Sequence, residues 1–134
     1  MIFLFDANFP VQLGRALKEL SRAPHEFKHV DLEANLGRGA GDEAVIEAAG
    51  REGWCLVSLD KGIVKNPAKR RLLFEKGVGT FSFTGSAIGN WSYYETVSFV
   101  MAIAEEMFEL ASRTPRPFIF GITDKKNFRV LDGG

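Results

Sequence analysis

The sequence predicts an α/β fold in three layers: a mainly parallel central sheet, helices on both faces, and a C-terminal hairpin. Three observations carry that expectation. Apolar runs of strand length alternate along the chain with amphipathic stretches of helix length. Strands such as IFLF and WCLVSL are continuously apolar instead of alternating, as expected for strands buried on both faces. The last two strand candidates, FIFGI and NFRVL, are separated only by the turn TDKK.

Taken in order, IFLF (2–5) is the first strand. Pro10 then opens a helix that aligns Val11, Leu13, Ala16, Leu17 and Leu20 on one face. HEFKHVDL (25–32) reads as the second strand, ending near Asp31. EANLGRGAG (33–41) is glycine-rich and reads as a loop. DEAVIEAAGREG (42–53) reads as a helix, with Asp42 placed to cap it and Gly53 to end it. WCLVSL (54–59) is the third strand and stops at Asp60; DKGIVK (60–65) reads as a loop. NPAKRRLLFEKG (66–77) has Asn before Pro at its start and Gly at its close, which marks a helix. GTFSF (79–83) is the fourth strand and TGSAIGN (84–90) a loop. Residues 91–113 form the longest helix, amphipathic along Val97, Val100, Met101, Ala104, Phe108 and Ala111. TPRPF breaks it, and the hairpin strands 118–122 and 127–131 follow, at a sheet edge or as an extension.

Composition narrows the function classes. The chain has 134 residues, which suits one domain over 1–134 with a real core. Its 17 basic and 17 acidic residues cancel, so any steering of a charged ligand must come from local patches. Cys55 is the only cysteine, which excludes an internal disulfide and a cysteine-based zinc cluster; its apolar neighbours mark it as a core residue. No apolar run reaches membrane-spanning length, and the first residues lack a basic leader. A cytoplasmic protein is the expectation.

The acids are the informative residues. In a parallel sheet, functional groups collect beyond the carboxyl ends of the strands, near the point where strand order reverses. Asp6 follows the first strand and Asp60 the third. Asp42 and Glu43 start the helix that leads into the third strand, so they belong to the same edge. Carboxylates gathered there repel unless a cation lies among them. Mg²⁺ or Mn²⁺ is the suitable ion, and such an ion is suited to phosphodiester hydrolysis. Each acid also has a plainer role. Asp42 is equally a helix cap, Glu43 a complement to the helix dipole, and Asp60 a turn initiator. Asn8 can orient Asp6, contact substrate, or form an Asx turn. Asp31 is a loop acid. His25 and His29 lack metal-ligand spacing and read as structural. Ser58 lacks the Gly-x-Ser-x-Gly setting of a hydrolase nucleophile.

FDANFP, GDEAVIEAA and LVSLDKGI, in that order, resemble the PIN-like nucleases, nearest to the compact bacterial group related to VapC-type toxins. Asp6, Asn8 and Pro10 match the first block of that group, with Ala7 where Glu is usual. Asp42, Glu43 and Ile46 match the second, and Leu56, Val57, Asp60, Lys61 and Ile63 the third. The resemblance covers residues 1–85. It implies a PIN-like α/β fold and metal-dependent cleavage of RNA as the toxin of a toxin–antitoxin pair. Asp6, Asp42 and Asp60 fall on the metal-binding acids, with Glu43 as a further ligand. Lys61, Lys65 and Arg38 then become the phosphate-holding residues, while Lys76 reads as part of a solvated helix face. A cognate antitoxin is the implied partner besides RNA; the aromatic residues of the long helix offer a surface for it or for a homodimer, or equally pack against the chain's own sheet.

Two other readings stand beside this one. Gly62 occupies a place where the group often has another Asp, which suits a PIN-like scaffold that binds RNA or protein without cleaving. A phosphoacceptor receiver domain shares the predicted topology, with Asp6, Asp60, Thr84 and Lys125 in its slots, but it pairs two acids after the first strand where this chain has Ala7 and Asn8.

Overall fold

The structure, a computed structural model, describes residues 1–21, 24–33, 36, 41–59 and 62–133. Six strands form one sheet: β1 (Ile2–Phe5), β2 (Glu26–His29), β3 (Cys55–Ser58), β4 (Gly79–Phe83), β5 (Phe118–Ile122) and β6 (Phe128–Leu131). Their order is β2-β1-β3-β4-β5-β6. The first five run parallel, and β6 closes the edge as the antiparallel arm of a hairpin with β5. The chain leaves β1 for β2 on one side and returns to β3 on the other. The strand order therefore reverses between β1 and β3, the position at whose carboxyl edge sheets of this kind bind ligands.

The helices are α1 (Leu13–Leu20), α2 (Asp42–Glu52), α3 (Gly62–Lys65), α4 (Pro67–Glu75) and α5 (Tyr93–Arg113). They divide between the two faces of the sheet, and the side-chain alternation of the strands decides which. Phe3, Phe5, Cys55, Val57, Phe81, Phe83, Phe118 and Phe120 point to one face and pack against Leu13 and Leu17 of α1 and the buried stripe of α5. Leu4, Leu56 and Ile119 point to the other and meet Val45, Ile46 and Ala49 of α2, Ile63 and Val64 of α3, and Leu73 of α4. One layer is thus built on aromatic rings, the other on branched aliphatics. Phe81 and Phe120 stack across adjacent strands at 5.7 Å between ring centroids. The three-layer α/β expectation is met, and the hairpin lies at the sheet edge.

Several boundaries differ from the sequence reading. The second strand stops at His29, and Val30–Leu32 coil into a 3-10 turn carrying Asp31. His29 causes this: its Nδ1 accepts the Asp31 backbone N–H, and its Nε2 lies 2.7 Å from the Phe9 carbonyl. Both histidines are structural, since His25 packs its ring against Phe3 and Phe108. Residues 62–65, expected in a loop, form the single turn α3, because Ile63 and Val64 are buried in the aliphatic layer. Asp42 does not cap α2. Gly41 is the cap, with extended backbone and no side-chain bond, and Asp42 is the first helical residue. Gly53 ends that helix in the left-handed region, as expected. α5 buries a wider stripe than a simple amphipathic reading gives, adding Thr96, Phe99, Ile103 and Met107, because it covers the aromatic face across several strands. Cys55 is fully buried, as expected of a core residue. No helix among the described residues is long and apolar enough to cross a membrane.

Candidate functional site

The β1 exit is the best-defined part of the carboxyl edge. The ladder between β1 and β3 pairs Phe5 with Val57 and is extended one step by the Asp6 N–H, which donates to the Val57 carbonyl at 3.1 Å. Strand alternation then sends Asp6, like Leu4, towards the aliphatic layer, and Ser58, like Leu56, towards the same side. The two side chains meet: Ser58 Oγ donates to Asp6 Oδ2 at 2.6 Å. The Leu59 N–H donates to the same oxygen at 3.0 Å, and the Asn8 N–H to Oδ1 at 3.0 Å. The Asp6 carboxylate is thereby fixed by donors from two strand ends. Asn8 orients Asp6 through its backbone, as part of an Asx turn that Asp6 makes, while its own residue is exposed.

α2 and α4 both begin at this edge, because each runs back along the sheet to a parallel strand. Asp42 and Glu43 occupy the first turn of α2, where the helix dipole favours negative charge. Asn66 caps α4 by accepting from the N–H groups of Ala68 and Lys69, and Pro67 sits at its first position. That cap puts Lys69 in the first turn of α4, where a cation is disfavoured by the helix dipole. The cost is offset by Asp42: Lys69 Nζ donates to Asp42 Oδ2 at 2.6 Å, with both side chains about 30 % exposed. Lys65, at the end of α3, is exposed at the same edge. Lys76 pairs loosely with Glu47 at 4.0 Å on the outer surface, the solvated role expected of it.

Asp60, Lys61 and Arg38, together with most of the glycine-rich segment around Arg38, lie outside the described residues. Of the remaining expected site residues, Asp6, Asn8, Asp42, Glu43 and Lys65 all belong to the carboxyl edge by their place in the topology. Among the described residues, no group of three or more His, Cys, Asp or Glu side chains is close enough to hold a metal ion. The chemistry of the donors nevertheless suits a hard cation. Asp6 and Asp42 offer carboxylate oxygens only, and the ammonium of Lys69 already serves as a cation on Asp42.

Sequence reasoning weighs Ser58 only as a nucleophile and Lys69 only as part of a basic cluster or a solvated helix face, and assigns neither to an acid. Ser58 had a visible signal, as the polar residue closing an apolar strand just before Leu59 and Asp60. Lys69 had one too, since the Asn66-Pro67 start fixes it in a first turn at the same edge as the acids. A further hydroxyl, Ser82 Oγ, is buried on β4 without a hydrogen-bond partner among the described residues, and Ser82 stands directly beside Ser58 in the ladder.

No curated protein and no solved structure matches the chain. A family model does: that of the PIN-like domain matches residues 1–85, from β1 through β4 and so over every strand end and helix start that builds the acidic edge. The chain belongs to the PIN-like domain family.

Proposed function

We propose that this PIN-like chain is a Mg²⁺- or Mn²⁺-dependent endoribonuclease that serves as the toxin of a toxin–antitoxin pair. The observation that carries the reading is the Asp6 carboxylate at the reversal of strand order, held by Ser58 Oγ at 2.6 Å and by two backbone N–H groups. A carboxylate kept so firmly at the one place where such sheets bind ligands is suited to hold a substrate-side cation. Asp6, Asp42 and Asp60 are the residues assigned to the ion, with Glu43 as an added ligand. When bound, the ion polarises the scissile phosphoryl group and lowers the pKa of the attacking water. Ser58 and Leu59 keep the Asp6 oxygens aimed through the reaction. Lys69 neutralises Asp42 in the absence of the ion and yields it when the ion arrives. Lys61, Lys65 and Arg38 hold substrate phosphates, which makes binding salt-sensitive.

The direct test is cleavage of an RNA pool by the purified protein with Mn²⁺, with and without the Asp6→Asn substitution. The variant loses cleavage and keeps its fold. Equal cleavage by variant and wild type overturns the assignment.

A second reading, a PIN-like module that binds RNA or a partner protein without cutting, is favoured by one specific pair of features. Gly62 heads α3 where an acid is frequent in the family's compact members, and the Lys69 ammonium occupies Asp42. Metal titration separates the two: a nuclease gains cleavage with Mn²⁺, whereas a binder holds RNA equally well in EDTA and leaves it intact.

A further inference from the structure

We infer that the pocket beside the first half of α5 is a base-stacking subsite for single-stranded RNA, a step that rests on the nuclease reading above. α5 follows β4, and Lys126 lies in the turn between β5 and β6, so both belong to the same carboxyl edge as Asp6. The pocket has a volume of about 510 Å³, and its lining includes Trp91, Tyr94, Glu95, Phe99 and Lys126. Three strand spacings separate β1 from β5, about 14 Å along the edge, so the pocket lies a few nucleotides from the acids.

The pocket joins a wall anchored in the core to side chains that stand clear of it. Tyr93 and Tyr94 are 69 % and 89 % exposed, an unusual position for two adjacent rings. Trp91 is braced by Phe99 at 4.7 Å between ring centroids, which makes it a fixed wall. Lys126 has a left-handed backbone, φ 67°, rare for a residue with a side chain, and the turn is held by its N–H donating to the Thr123 carbonyl at 2.9 Å. The two loops that frame the pocket are pressed together at Gly85, where a side-chain carbon would stand 2.7 Å from the Asp124 backbone nitrogen.

Charge and shape select the occupant. Among the described residues neither Lys125 nor Lys126 enters an ion pair, so both remain for phosphates. Of the acids nearby, Glu95 in the lining is tied back by accepting the Ser92 N–H at 3.0 Å in the capping box of α5, and Asp124 adjoins Lys125 in the turn with its backbone against Gly85. Aromatic faces beside cations are the elements that hold unpaired bases, and they do so with little sequence preference because every base has a π face. An open depression that sets the Trp91 and Tyr94 rings beside Lys126 offers a base a face to stack on, and its seven lining residues fall short of the roughly 800 Å² a stable protein partner covers.

The experiment uses the full chain and a short fluorescein-labelled single-stranded RNA in EDTA, so that binding is read without cleavage. Tyr94→Ala weakens binding about tenfold. Lys126→Gln weakens it less and reduces the slope of log affinity against log salt by about 0.7. Both positions are exposed, so thermal melting stays at the wild-type value and certifies the fold. Trp91 fluorescence, read in a Trp54→Phe background, is quenched on binding. If wild type binds RNA and both variants bind it equally, the subsite is overturned while the Asp6→Asn test of the nuclease reading still stands. If wild type binds no RNA in EDTA, the subsite is overturned, while the nuclease reading is decided separately by the Asp6→Asn cleavage test with Mn²⁺. If the variants keep RNA affinity but lose self-association in sedimentation, the surface is a protein interface and the subsite is overturned.

Discussion

Replacing Ser58 with Ala isolates what holds Asp6. Ser58 is fully buried at the end of β3, and its hydroxyl donates to Asp6 Oδ2 at 2.6 Å. The substitution removes one hydroxyl and adds no bulk, so the backbone of β3 has no reason to move. A hydrogen bond to a charged acceptor contributes about 1.5–3 kcal/mol, and here the partner left behind is half-buried. For a chain of this size that is a loss of about 5–10 °C in melting temperature. Urea denaturation gives the free energy directly, because the slope should stay unchanged while the midpoint falls. The bond can be separated from the loss of packing by a double-mutant cycle with Asp6→Asn. The two substitutions should fall short of additivity by about 1–2 kcal/mol, as residues in direct contact do. On the nuclease reading, Ser58→Ala also lowers cleavage less than Asp6→Asn does, since the Leu59 and Asn8 N–H groups still hold the carboxylate. A Ser58→Ala protein within about 0.5 kcal/mol of wild type, with additive behaviour in the cycle, would refute the clamp.

Other substitutions probe separate parts of the fold. Lys69→Met removes the ion pair with Asp42 and costs about 0.5–1 kcal/mol, discounted for its partial exposure; on the metal reading, Mn²⁺ then raises the melting temperature of the variant more than that of wild type, and equal shifts would show that Lys69 does not compete for Asp42. Burial, followed by the positive charges of the Met1 amino group and Lys18, pushes the His25 pKa below 6.5. The unfolded chain therefore binds the proton more tightly, so stability is complete above pH 6.5 and is lost as the pH falls below it. Denaturation midpoints measured on either side of that value should show this slope, and His25→Phe, which keeps a ring against Phe3 and Phe108, should remove it. Gly85→Ala drives a methyl group into the Asp124 backbone and costs about 1–3 kcal/mol, measured by urea denaturation.

The layers of the fold could be read from sequence because burial on both faces leaves a clear record: IFLF and the CLV of the third strand are apolar on both faces. Caps were equally legible where chemistry is local, as in Asn66-Pro67 and Gly53. What escaped was set by contacts between distant segments. β2 ends early because His29, twenty residues from Phe9, bonds its carbonyl. α3 forms because α2 and the sheet leave a space that Ile63 and Val64 fill, and nothing in DKGIVK alone favours a helix over a loop. The site shows the same division. Asp6, Asp42 and Glu43 were placed at one edge by topology alone. The roles of Ser58 and Lys69 were missed because they depend on their partners, and neither partner is near in sequence.

The placement of the site follows from the core. A strand repeats its side-chain direction every two residues, so a slip of one residue between β1 and β3 would turn Ser58 to the aromatic face and leave Asp6 without its hydroxyl. That slip is opposed by packing on both sides at once. Phe5 and Val57 pair in the ladder and enter the aromatic layer, while Leu4 and Leu56 pair one step earlier and enter the aliphatic layer. Moving either strand would exchange those sets and place rings where α2 and α4 leave room only for branched aliphatics. The register that fills the core is therefore the register that sets the Ser58 hydroxyl against Asp6. Small changes in Phe5, Val57, Leu4 or Leu56 act on the carboxylate through the ladder, without touching it.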